Sequence, residues 1–255
     1  MKSFHSEVLQ PLSGNIFQFA CHPDVPCFTQ CCRDLRLILT PYDILRLKKH
    51  LAMTSQAFLK KYTRTEIQNS GFLPTVLLMM KDDEQKACPF VDREGCTVYD
   101  DRPGACRTYP LGRAASKVRG QEQANEQYFM VRENHCRGFE QERFWTVEQW
   151  LSHEGLHEYN HYNDLWVEIM TSRHPAVIKN LDQTKIGMFF LASYNLDEFR
   201  RFILESSFLQ KFLVSNEEII ALRIDDSALM LFAIKWIKFF LFGESSLKVH
   251  GKQQD

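Results

Sequence analysis

Apolar positions change their spacing near the middle of the chain. In the first half they come in short runs. Leu35 to Leu39 (LRLIL) is a strand candidate, and Thr40-Pro41-Tyr42-Asp43 then opens a helix. Thr40 suits the N-cap, Pro41 the first helical position and Asp43 the capping acid. Ile44, Leu45 and Leu47 carry that helix towards Leu51. A second helix begins near Thr54 and carries Phe58 and Leu59, and Pro74 to Met80 is a short buried strand. Lys81 to Arg113 breaks every periodicity and predicts turns. Gly112 to Lys117 and Gln127 to Arg132 predict a hairpin, with Gly120 in its connection.

The second half has helical spacing. Thr146 caps a helix running to His161, with Glu148 and Gln149 in its first turn. Gly155 interrupts it at a cost of about 1 kcal/mol relative to Ala. Segments near 183–193, 195–213 and 226–242 follow, with Phe189, Phe190, Phe199, Phe202 and Phe208 as core. The expected class is therefore α+β. An irregular, Cys-rich half with short strands and helices (1–140) precedes an α-helical region (141–255) packed on it.

Charge removes some functions. Lys+Arg number 31 against Asp+Glu 32 over 255 residues, a net charge of −1. That balance argues against a nucleic-acid partner. The first twenty residues hold Lys2, His5 and Glu7 and no apolar export core. Ala228 to Phe242 falls short of the ~20 residues that span a bilayer. It reads as a buried helix whose Lys235 and Lys238 share a polar face. A cytoplasmic protein without a transmembrane segment is expected. In that reducing compartment, eight cysteines point to metal or redox chemistry rather than disulfides.

The cysteines cluster. Cys21, Cys27, Cys31 and Cys32 form one group, Cys88, Cys96 and Cys106 a second, and Cys136 stands alone. Thiolates select zinc, cuprous copper or iron–sulfur clusters. Adjacent side chains at Cys31 and Cys32 diverge in regular structure, so the two either serve different centres or one is not a ligand. The spacings match neither the paired C-x2-C of a zinc ribbon nor the C-x2-C-x2-C run of bacterial ferredoxins. His22 and His135 each abut a cysteine and are secondary candidates. Arg33, Arg102, Arg107 and Arg113 lie near the thiols in sequence. They would either lower thiol pKa values or pair with Asp34, Asp92, Asp100 and Asp101.

One segment carries a resemblance. Cys88-Pro89-Phe90, Gly95-Cys96-Thr97-Val98-Tyr99, Arg102-Pro103 and Cys106-Arg107-Thr108-Tyr109-Pro110 resemble the second signature of the YkgJ-type cysteine-cluster family, the CxxxCxxCC zinc- or iron-chelating domain. Cys21, Cys27, Cys31 and Cys32 match the first signature with longer spacing, and Cys136-Arg137-Gly138 resembles the extension of longer members. The resemblance covers roughly 19–150. It implies that Cys21, Cys27, Cys31, Cys32, Cys88, Cys96, Cys106 and Cys136 bind metal. The leading expectation is an iron–sulfur cluster, [4Fe–4S] in type, with a redox or group-transfer role. The alternative is a structural zinc module that binds a protein partner. Flagellin lysine N-methylases carry a similar domain, which adds a protein-lysine methylase-like enzyme as a third class. No Gly-rich loop marks a Rossmann-type methyl-donor site, and no C-x3-C-x2-C motif of radical enzymes is present.

His153-Glu154-Gly155-Leu156-His157 fits H-E-x-x-H, which on a continuous helix holds catalytic zinc. Gly155 weakens that helix, and the downstream ligands of the zinc protease families are missing. The motif reads as a polar face, with Leu151, Leu156 and Tyr159 turned inward.

Overall fold

The computed structural model describes residues 9–12, 14–67, 73–116, 125–172 and 181–250. In chain order the strands are β1 (Leu9–Pro11), β2 (Ile16–Gln18), β3 (Ile38–Leu39), β4 (Thr63–Glu66), β5 (Thr75–Leu78), β6 (Leu111–Ser116), β7 (Asn125–Val131) and β8 (Phe144–Thr146). The helices are α1 (Pro41–His50), α2 (Ser55–Tyr62), α3 (Gly104–Thr108), α4 (Val147–His153) and α5 (Leu156–Met170), then α6 (Gln183–Tyr194), α7 (Leu196–Glu205), α8 (Phe208–Lys211), α9 (Asn216–Ile224) and α10 (Asp226–Phe242). The class is α+β. The chain divides into two compact units, each made of two stretches: 1–37 with 78–168, and 38–77 with 169–255.

The 38–77/169–255 unit is mostly helical. Thr40 and Asp43 form the expected capping box at the start of α1, with Pro41 in its first turn. Thr54 caps α2 through the Ala57 N–H. The strand predicted over 35–39 shortens to Ile38–Leu39. It pairs antiparallel with β5, through Ile38 opposite Leu77 and Leu39 opposite Val76, in a sheet ordered β3-β5-β4. Phe189 and Phe199 are fully buried, and the Phe199 and Trp236 rings lie 5.6 Å apart. Phe190 and Phe202 are half-buried. Lys235 is exposed while Leu229, Trp236 and Ile237 are buried, so α10 is a core helix with one polar edge. No helix among the described residues is long and apolar enough to cross a membrane.

Charge is also buried in this unit. The Lys48 ammonium lies 2.9 Å from Asp197 and 3.4 Å from Asp226. Asp197 accepts the Ser55 N–H at 2.6 Å, which places a carboxylate at the N-terminus of α2. Arg200 bonds to Asp226 and to the Leu222 carbonyl. Burial works against ionising both acids. For Asp197 the Ser55 N–H and Lys48 outweigh it, and for Asp226 Arg200 and Lys48 do. Both are held below the ordinary carboxylate value.

The 1–37/78–168 unit is built differently. β6 and β7 form the expected hairpin, with Leu111 opposite Met130 and Ser116 opposite Asn125, and β1 adds to the other edge of β7. Gly112 faces Phe129, whose ring would lie 2.1 Å from a Cβ at that position. Gly120 and the hairpin connection lie outside the described residues. A second ladder pairs β2 with β8, Phe17 opposite Trp145. Behind it Trp150 meets Phe17, Phe19 and Trp145 edge-on, with centroids 5.8, 5.7 and 5.2 Å away.

Two expected helices are each broken in two. Gly155 adopts φ +63°, in the left-handed region, and separates α4 from α5. The helix expected over 195–213 is interrupted at Ser206 and Ser207, between α7 and α8. Helix α9, capped by Ser215 and Glu218, has no counterpart in the sequence reading.

Candidate metal centre

The cysteines sit on turns anchored by the elements around them. Cys21 follows β2. The Phe19 carbonyl accepts the Trp145 indole N–H at 2.9 Å, and Ala20 N–H donates to Gly138 at 3.0 Å. Gly138 must be glycine for that approach, because a Cβ would stand 2.4 Å from the Phe19 ring and 2.8 Å from the Ala20 carbonyl. The contact brings Cys136 to the segment after β2 that carries Cys21. Cys27 is buried, and its sulfur accepts the Arg137 N–H at 3.0 Å. Three residues distant in sequence are therefore tied by backbone bonds.

Cys31 and Cys32 lie on the 3-10 turn Gln30–Cys32, entered through Thr29 at φ +65°. Their sulfurs are 4.0 Å apart. The expected divergence of adjacent side chains fails because this single tight turn is neither helix nor strand. Cys88 N–H donates to the Cys32 carbonyl at 2.8 Å, and Arg33 bridges Ala87 in the same antiparallel contact. The chain then doubles back: Val91 bridges Cys96, and the Asp92 carboxylate accepts the Glu94 and Gly95 N–H groups at 2.8 and 3.0 Å. Cys106 rides on α3, whose last residue, Thr108, accepts the Trp150 indole N–H on its carbonyl at 3.1 Å.

None of the eight cysteines is in a disulfide. Three accept a backbone N–H from two residues on: Cys88 from Phe90, Cys96 from Val98 and Cys136 from Gly138. Such bonds favour a thiolate over a thiol. Burial opposes them and keeps all three above the ordinary cysteine value. Burial and then the Cys31, Cys27 and Cys136 sulfurs push Cys21 up to about 11. The contact with Cys31 followed by burial raises Cys32, and Cys31 is lowered by the same contact. These sulfurs crowd one another enough that ionising one discourages the next.

Among the described residues no three His, Cys, Asp or Glu side chains already converge as ligands of one ion. What fits a metal is the donor set: eight unbridged sulfurs, neighbours of one another, four of them already accepting main-chain N–H groups. Residues 20–137 match the family model described as "CxxCxxCC: Putative zinc- or iron-chelating domain". The match spans every cysteine from Cys21 to Cys136. Residues 20–137 are similar to this family's domain. Comparison with the curated proteins and with the solved structures finds no match.

The basic residues near the cysteines are largely committed elsewhere. Arg107 is buried, donates to the carbonyls of Arg102, Asp100 and Glu154, and lies 4.9 Å from the Tyr159 ring centre. Arg113 grips Asp164 in a bidentate pair at 2.7 and 3.0 Å and Glu126 at 2.8 Å. Arg102 pairs with Glu154 and covers Tyr99, yet its charge still favours ionised Cys21 and Cys96. The carboxylates held by Arg102 and Arg113 are those of Glu154, Asp164 and Glu126. His22 and His135 face Asp24 and Glu133, at 3.5 and 3.6 Å.

H-E-x-x-H is not presented on one helix. His153 ends α4 and His157 lies in the first turn of α5, beyond the Gly155 break. Glu154 is buried against Arg102 and is thereby taken from any role as general base. His157 pairs with Glu148 at 3.2 Å. A residue the sequence reading passed over is Tyr109. Its buried hydroxyl faces Cys136, and burial first, then that contact, drives its pKa far upward.

Proposed function

We propose that the CxxCxxCC domain holds an iron–sulfur centre through cysteine thiolates. One observation carries this: the thiols adjoin one another as a set, Cys31 beside Cys21, Cys32, Cys88 and Cys96, with Cys27 and Cys136 beside Cys21 and Cys106 beside Cys32. A lone structural zinc uses four sulfurs. Eight sulfurs exceed what one zinc ion takes, and four of them accept the main-chain N–H bonds that set the potential of an iron–sulfur centre. When bound, such a centre supplies one-electron transfer at potentials set by hydrogen bonds to its sulfurs and by exposure. The chain's own contribution is to hold ligands and tune them. Arg137, Phe90, Val98 and Gly138 present N–H groups to sulfur, and Tyr109 presents a hydroxyl to Cys136. Arg102 offsets part of the thiolate charge. Unbridged thiols accord with a reducing, cytoplasmic setting, and the near-neutral net charge with a protein partner rather than nucleic acid.

The test is anaerobic purification, an absorption spectrum, and a count of iron, zinc and acid-labile sulfide per chain. Brown protein with comparable iron and sulfide is the expected result. Colourless protein with stoichiometric zinc overturns the iron–sulfur reading in favour of a zinc module.

A further inference from the structure

We infer that the eight thiols form two four-sulfur metal sites: Cys21, Cys27, Cys31 and Cys136 in one, Cys32, Cys88, Cys96 and Cys106 in the other. The peptide bond between Cys31 and Cys32 is the junction. This rests on the reading above that the thiols ligate metal, and it holds whether each site takes a zinc ion or an iron–sulfur cluster.

The backbone draws the division. In the first set, Ala20 bonds to Gly138 and Arg137 bonds to the Cys27 sulfur, so residues 20–21, 27 and 136–138 form one knot. In the second, Cys88 bonds to the Cys32 carbonyl and Val91 bridges Cys96, so residues 32, 88 and 96 share another. Among the described residues no backbone bond joins one knot to the other. The sulfur neighbours complete each set, with Cys31 adjoining both: its sulfur lies 4.0 Å from that of Cys32. Cys21 senses Cys31, Cys27 and Cys136, while Cys32 senses Cys88 and Cys106 besides its neighbour Cys31. Members of both sets sense Cys31, as the junction requires. Four thiolates complete a tetrahedral ion or a four-iron cluster, and each set supplies four.

The division is tested first on the wild-type chain. Metal-free protein is titrated with Zn²⁺, and separately with ferrous iron and sulfide. Unprotected thiols are alkylated at each point and mapped by fragmentation mass spectrometry, which separates Cys31 from Cys32. Protection is expected in two groups of four with the stated memberships. A single eight-thiol step, or groups of mixed membership, overturns the division while leaving metal binding intact. A wild type in which no thiol is protected overturns the metal reading itself.

Substitutions give an independent readout. Cys27→Ser and Cys88→Ser should each lose about half of the bound metal, because each disables one four-ligand site. Cys27→Ser with Cys136→Ser should lose no more than Cys27→Ser alone, whereas Cys27→Ser with Cys88→Ser should lose all of it. Equal losses from the same-set and cross-set pairs overturn the division.

Discussion

In the unit formed by 38–77 and 169–255, side chains pack against side chains: Phe199 on Trp236, Lys48 between Asp197 and Asp226. In the unit formed by 1–37 and 78–168, the cysteine segment is held by side chains reaching main chain. Arg107 bonds to three carbonyls, and Trp145 and Trp150 bond to the carbonyls of residues 19 and 108. The first kind of order is complete in the polypeptide. The second fixes the backbone while leaving the sulfurs crowded against one another. A region can be spatially determined by its chain and still depend on an ion for its stability.

Metal removal gives the largest contrast. Structural zinc supplies on the order of 10–16 kcal/mol to small thiolate domains. Chelation under reducing conditions should therefore abolish the near-ultraviolet dichroism of Trp145 and Trp150 while most far-ultraviolet helical signal persists. Loss of both signals together would erase the distinction between the units. Because ligation releases protons from thiols such as Cys21, at about 11, metal affinity should rise with pH across the neutral range. In the metal-free protein the sign reverses. A thiol raised on folding contributes stability below its ordinary value near 9 and loses it as pH climbs through 11.

Lys48→Ala should cost about 1–3 kcal/mol, since it leaves two half-buried carboxylates to Arg200 and the Ser55 N–H. Denaturant unfolding of the helical unit should show the loss, with metal content unchanged. Acid probes the same network. Depressed carboxyl values contribute stability that is complete above the unfolded value of 3.8 and lost as pH falls through the folded ones. Unfolding of the helical unit that begins well above pH 5 would argue against it. Gly138→Ala should cost about 1–3 kcal/mol by overpacking against Phe19, and the cost should appear as weakened metal retention rather than lost helix. Ser215→Ala, removing the cap of α9, should cost about 1 kcal/mol and leave the cysteine domain untouched.

What could be read from sequence follows the range of the forces involved. The Thr40–Asp43 box, the Thr54 and Thr146 caps, the β6–β7 hairpin and the burial of Phe189 and Phe199 are local signals of a few residues. The eight cysteines were legible as a set, because clustered thiols in one chain are a strong compositional signal. Their company was not. That Gly138 must approach Ala20, that Arg107 would serve carbonyls, or that Tyr109 would face Cys136 depends on partners 5 to 118 residues away. The short strands β1, β2 and β8 are equally hidden, since three residues carry no period. Gly155 was seen as a weakness in a helix, but local spacing could not show that it would end one.

The Leu78 N–H bonds to the Leu37 carbonyl at 2.9 Å, so residues 38–77 leave the cysteine unit and return to it at one point. Closing a loop of that length costs little more than closing one half as long. On a chain made from its N-terminus, all eight sulfurs exist once Cys136 emerges, whereas the helical partner of 38–77 is completed only after residue 169. The cysteine domain can thus be supplied with metal while the excursion is still waiting for its other half. The order of synthesis gives the ion first access to the nascent protein.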